Sequence, residues 1–99
     1  MGNKLTTQER MVHLGGLEGW QLVEGRDAIA RRFVFADFNE AFGFMTRVAV
    51  YSEQHGHHPE WVNVWNRVDV TLSTHDVGGL SKLDIEMARF MNQIGPAGQ

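Results

Sequence analysis

The sequence predicts an α+β domain: a four-stranded antiparallel sheet with helices packed on one face, in the order α, ββ, α, ββ, α. Three observations point there. Alternating apolar residues flank turn residues around 20–35 and again around 62–72, as strands of a hairpin do. Three stretches open on the spacing of a helix capping box, at Thr6 and Glu9, Asp37 and Glu40, and Ser81 and Asp84. Hairpins that alternate with helices favour an antiparallel sheet with its helices on one side. At 99 residues the chain is expected to form a single domain, 1–99, with one core.

Each element follows from local sequence. Thr6 opens a short helix that should stop by Gly15-Gly16. Trp20 to Val23 reads as a weak strand, Glu24-Gly25-Arg26-Asp27 as a turn, and Ile29 to Phe35 as a strand with Ile29, Arg31, Phe33 and Phe35 on one side. Asp37 opens a helix to about Gln54, whose apolar stripe is expected to be Phe38, Ala41, Phe42, Met45, Val48 and Ala49. Phe44 and Tyr51 lie off that stripe. They predict either a second apolar surface suited to a partner helix or a helix buried on two sides. Val62–Val64 and Val68–Leu72 alternate as strands, Gly78-Gly79 breaks the chain, and Ser81 caps a last helix facing the core with Leu83, Met87, Phe90, Met91 and Ile94. Residues 95–99 read as a frayed tail.

Composition removes several function classes. Twelve acidic against nine basic residues leave a net charge of −3 and no basic block, so no direct nucleic-acid binding is expected. Without cysteine there is no disulfide framework, thiolate zinc site or cysteine nucleophile. No apolar run approaches the roughly 18 residues of a membrane span, and Met1 to Glu9 lacks the apolar core of a signal peptide. A soluble intracellular domain is the expectation.

Four of the five histidines fall between 55 and 75. The second hairpin should bring them together. A two-residue turn at Asn66-Arg67 would set His58 opposite His75; a three-residue loop, Trp65 to Arg67, would set His57 there. The second register is preferred because it puts Val62, Val64, Val68, Val70 and Leu72 on one buried face. Pro59 should end the pairing, since it donates no ladder hydrogen bond. Glu53, Asp76, Asp84 and Trp61 lie close enough in sequence to join this region. Three readings of the cluster stand side by side. Imidazoles exchange protons near neutral pH, which suits acid/base catalysis. His55, His57 and His58 form an H-x-H-H run, and three histidines can hold zinc, although adjacent His57 and His58 would point to opposite faces of an extended chain. The third reading is a histidine-rich surface loop.

Here the residues resemble a known family. His57-His58-Pro59-Glu60-Trp61, then Asn63-Val64 and Val70-Thr71-Leu72-Ser73-Thr74-His75, are similar to the signature of the pterin-4a-carbinolamine dehydratases. Glu24 to Ile29, Asp37-Phe38-Asn39 and Ala41 to Ala49 match as well, so the likeness runs from about Leu5 to Ile94. It implies the same fold, no metal and no cofactor. It also implies dehydration of 4a-hydroxytetrahydropterin to quinonoid dihydropterin, which recycles tetrahydrobiopterin for aromatic amino-acid hydroxylases. By the same resemblance His57, His58 and His75 are catalytic, with His57 and His75 the acid/base pair and His58 mainly holding the pterin. Pro59, Trp61, Ser73, Thr74 and Asp76 would contact substrate, with Glu53 and Asp84 in support. Glu53 matches a family glutamate near the first histidine, and a helix cap alone would explain Asp84. Gly56 departs from the acid often found there in animal relatives, and His55 is expected to be a solvated loop residue. Family members associate as dimers and tetramers, here through the 37–54 helix and a sheet edge, and some animal members serve as a dimerisation cofactor of a homeodomain transcription factor. The resemblance therefore predicts a cytoplasmic, or also nuclear, protein with an oligomeric partner surface.

Overall fold

The computed structural model describes residues 3–96. Three helices, α1 (Thr7–Gly15), α2 (Phe38–His55) and α3 (Lys82–Ile94), accompany four strands, β1 (Gln21–Leu22), β2 (Ile29–Val34), β3 (Glu60–Val64) and β4 (Arg67–Leu72). The chain order is α, ββ, α, ββ, α, as expected. The strands form one antiparallel sheet in the order β1-β2-β4-β3, with β2 pairing β4 from Ile29↔Leu72 to Val34↔Arg67.

The capping signals act as read. Thr6 and Glu9 form a reciprocal capping box at α1, and Ser81 and Asp84 form another at α3. At α2 the Asp37 carboxylate accepts from Glu40 N–H at 2.9 Å, while Glu40 accepts from Ala36 N–H, one residue outside the helix cap. Each cap satisfies N–H groups that have no partner within the first turn.

The core is aromatic at its centre. Phe33 of β2 meets Trp20 edge-on, with ring centroids 6.0 Å apart, and Phe44 of α2 packs against Phe33 and Phe35 at 4.8 and 5.0 Å. Arg31 shares the buried side of β2 as predicted. It is tolerated because its guanidinium donates to the Glu18 carbonyl at 2.8 Å and to Asn92 Oδ1 at 2.6 Å, and lies over the Phe33 ring. Trp20 Nε1–H donates to the same Asn92 oxygen, which ties the β1 entrance to α3.

Two expectations about faces are overturned. Ala41, Phe44, Val48 and Ser52 are the buried residues of α2, while Phe38, Phe42 and Ala49 are exposed. The true stripe is rotated by roughly 60° from the expected one, on 3.6 residues per turn. Apolar residues surround most of this helix, so periodicity alone does not choose a face; the fit of the Phe44 ring between Phe33 and Phe35 does. Phe44 and Val48, at 4% and 0% exposure, therefore offer no docking surface, and Tyr51 stacks between His55 and Phe90 within the same chain. In α3 the buried set is Asp84, Ile85, Met87, Ala88 and Met91, with Leu83, Phe90 and Ile94 only half-buried.

The second correction concerns the β3–β4 register. Val64 pairs with Arg67 across a two-residue turn, Trp65-Asn66, one residue away from the preferred pairing and two from the other. Such a slip turns every β3 side chain over. Val62 and Val64 face outward at 60% and 51% exposure, and Trp61 and Asn63 pair with Val70 and Val68 on the inner side. Polar bonds select this register. Asn66 clamps β2 by exchanging bonds with the Phe35 backbone, and the Asn63 amide donates to the Trp65 and Arg67 carbonyls. Of the expected tail, Gly95 donates its N–H to the Met91 carbonyl at the end of α3, and 97–99 lie outside the described residues.

If Phe44 anchors α2 as described, Phe44→Ala costs about 3–5 kcal/mol of unfolding free energy, the range for emptying a buried phenylalanine site. Urea unfolding measures it; a loss below about 1 kcal/mol would place the ring outside the core.

Candidate functional site

Two loop ends build the site. Gly56 takes a left-handed φ of 62° after α2, and both it and His57 fold their N–H groups back onto the Ser52 carbonyl. This reversal sends His57 inward and leaves His58 outside. Past β4, Thr74 and Gly79 exchange backbone bonds at 2.8 and 3.2 Å, which closes a short 3₁₀ turn, His75–Val77. A Cβ at Gly79 would meet the Asp27 carboxyl and the Lys4 side chain, which would have to move aside. His57 and His75 thus converge, but not as cross-strand partners: ladder pairing stops at Glu60↔Thr71, beside Pro59.

A cavity of about 540 Å³ lies between these ends, lined by His57, His58 and His75 together with Pro59, Ser73, Thr74 and Asp76, all expected there. His55, Gly56, Glu60 and Leu83 complete its wall. Trp61 is absent from it: the indole is half-buried against the core on the inner side of β3, a consequence of the register. His55 is exposed, as expected, but it belongs to α2 rather than to a loop. It ends α2, stacks on Tyr51 at 3.9 Å and donates from Nδ1 to the Tyr51 carbonyl at 2.9 Å.

Each of the three site histidines meets a carboxylate through Nε2, and each carboxylate comes from a different element. His57, buried, lies 2.6 Å from Oδ1 of Asp84, which is fully buried at the first turn of α3. His58, exposed, lies 2.8 Å from Glu53 of α2. His75, exposed, lies 3.4 Å from Glu60 of β3. The expected neighbourhood of Glu53 and His57 is therefore corrected: Glu53 serves the second histidine, and Asp84 serves the first. A carboxylate only accepts, so Nε2 carries a proton in each pair. Imidazoles oriented in this way can deliver and collect protons on one bound molecule.

Asp84 does two jobs at once. Its Oδ2 accepts from Ser81 N–H as the capping-box residue, and its Oδ1 faces His57. The partial positive charge at the helix N-terminus favours an anion at that position. Ser73 donates its hydroxyl to the Asp27 carbonyl at 3.0 Å, fixing the strand end beside the cavity.

Glu60 and Arg26 were not singled out from sequence as site residues. Arg26, in the β1–β2 turn, grips both Glu60 oxygens at 2.9 Å. This fork, helped by His75, holds the Glu60 carboxyl well below the usual carboxylate range, at about 2. An available signal was the Glu beside His57-His58-Pro59, but the link to Arg26 depends on a β3 register that side-chain alternation alone misassigns. Among the described residues no group of three or more His, Asp or Glu side chains is arranged to hold a metal ion.

Because the Glu60 pKa is depressed on folding, the favourable contribution of the Arg26 pair is complete above about 4.5 and disappears as pH falls through about 2. A carboxyl-carbon NMR titration should give a Glu60 midpoint near 2, moved upward in Arg26→Ala; a wild-type midpoint near 4.5 would contradict the clamp.

Residues 3–94 match the family model described as pterin 4 alpha carbinolamine dehydratase. A Burkholderia cenocepacia protein named for pterin-4-alpha-carbinolamine dehydratase is 64% identical over 93% of this chain and 90% of its own. A crystal structure described as a transcriptional coactivator/pterin dehydratase from Brucella melitensis superposes with a TM-score of 0.93 at 55% identity, over 95% of this chain and all of the other. A pterin dehydratase-like RuBisCO assembly factor of the alpha-carboxysome superposes at 0.68 with 20% identity, over 83% and 93% of the two chains; at that distance only the fold is shared.

Proposed function

Because this chain belongs to the pterin 4 alpha carbinolamine dehydratase family, we propose that it removes water from a 4a-hydroxytetrahydropterin by histidine acid/base catalysis. The observation that carries the reading is the convergence of His57, His58 and His75 on one cavity, each oriented by its own carboxylate.

The reaction needs a proton delivered to the 4a-hydroxyl, cleavage of the carbon–oxygen bond, and removal of a proton from a ring nitrogen. No electron leaves the substrate. His57 and His75 are the acid/base pair, one buried and rigid against Asp84, the other at the solvent end, where protons can be replenished. His58, exposed on the wall beside Glu53, holds the pterin. The quinonoid product is the form that returns tetrahydrobiopterin to aromatic amino-acid hydroxylases through a reductase.

The test follows quinonoid dihydropterin formation from the carbinolamine. His57→Ala/His75→Ala should lose on the order of 10²–10⁴-fold in rate, the usual contribution of positioned acid/base groups. Equal rates for wild type and double variant would reject the assignment.

A second reading concerns association. Phe38, Phe42 and Val50 stand exposed on α2, and β3 is an edge strand with Val62 and Val64 outward. The Brucella relative is described as a coactivator as well as a dehydratase. We propose that copies of this chain associate through those two surfaces and that a protein partner can use the same helix face. Size-exclusion chromatography with light scattering should show a dimer or tetramer; a stable monomer would overturn this.

A further inference from the structure

Thr74 lines the cavity but is itself buried, and its hydroxyl has no proton left for a substrate. That hydroxyl donates to Asp84 Oδ2 at 2.7 Å, because a carboxylate accepts only. Its 2.6 Å contact with the Ser81 hydroxyl must then run the other way, with Ser81 donating. The Ser81 oxygen in turn accepts Leu83 N–H at 3.2 Å. All the donors therefore point at Asp84, from the α3 backbone through Ser81 and Thr74 onto Oδ2, and from the His57 imidazole onto Oδ1. Thr74, Ser81 and Asp84 are all buried, where a missing partner costs more than at the surface. Oδ2 is filled by Thr74 and by Ser81 N–H, so Oδ1 alone remains for the imidazole.

We propose that Thr74 is a positioning residue for the dehydration rather than a side-chain contact of the pterin: its hydroxyl, itself held by Ser81, fixes the Asp84 carboxylate that orients His57. The kinetic part of this proposal rests on the dehydratase reading; the hydrogen-bond relay does not.

The experiment compares Thr74→Val, which deletes the hydroxyl, with Thr74→Ser, which keeps it. Carbinolamine dehydration and the imidazole N–H resonances of uniformly ¹⁵N-labelled protein are both recorded. Thr74→Val should lower kcat on the order of 10- to 100-fold, as expected when a reacting group is misplaced, with KM for the pterin changed less than about 3-fold. Thr74→Ser should recover most of kcat. In pterin-free protein the His57 Nε2 proton should be slowly exchanging in wild type and Thr74→Ser, and lost to exchange in Thr74→Val. Ser81→Ala, which removes the donor to Thr74 but not the Asp84 contact, should show both effects in weaker form and keeps the test decisive if Thr74→Val does not fold. Unchanged kcat, a raised KM at constant kcat, or an unaltered His57 proton in the folded variants would overturn the proposal. An inactive wild type whose His57 proton still responds to these substitutions would remove the functional reading and leave the relay standing.

Discussion

The contact between His57 Nε2 and Asp84 Oδ1 joins segments 27 residues apart and sets the geometry of everything around it. It fastens the loop after α2 to the first turn of α3, across the end of the sheet. Asp84 is wholly buried, and a buried carboxylate is costly unless its oxygens are filled. The filling comes from the imidazole, the Thr74 hydroxyl and the Ser81 N–H. The cavity wall and the start of α3 are thereby one hydrogen-bonded unit.

The three imidazoles differ in surroundings while sharing a mode of attachment. His57 is enclosed, His58 is held at the surface by Glu53, and His75 opens a turn beside a Glu60 that Arg26 already commands. Exposed ion pairs contribute little to stability, so the value of the outer two lies in orientation. A cavity with one enclosed and two solvent-facing imidazoles is suited to a reaction in which a proton enters and another leaves.

Much of this was legible in the amino acids, and the failures have physical causes. Capping pairs mark helix starts through strictly local bonds, which is why Thr6, Asp37 and Ser81 located α1, α2 and α3. The His57-His58-Pro59 run and His75 were recognisable as one site because any reasonable hairpin brings 57–58 near 75. Side-chain direction was not legible. In α2 nearly every face carries an apolar residue, and Phe44 was chosen by its fit against Phe33 and Phe35. In β3 the register was decided by Asn63 and Asn66 bonding across the turn, against the alternation of valines. Trp61 fell out of the expected wall for that reason, and the pairing of Glu60 with Arg26 stayed hidden because it spans 34 residues.

The double duty of Asp84 has a consequence for anyone reshaping this domain. Helix caps are ordinarily interchangeable hardware, swapped among serine, aspartate and threonine to raise melting temperature. Here the third helical residue is also the anvil on which an imidazole is set, so the start of α3 and the shape of the cavity draw on a single carboxylate. Directed evolution for heat resistance would have to work from the far end of α3 or from the outer sheet face, leaving residues 81–84 frozen.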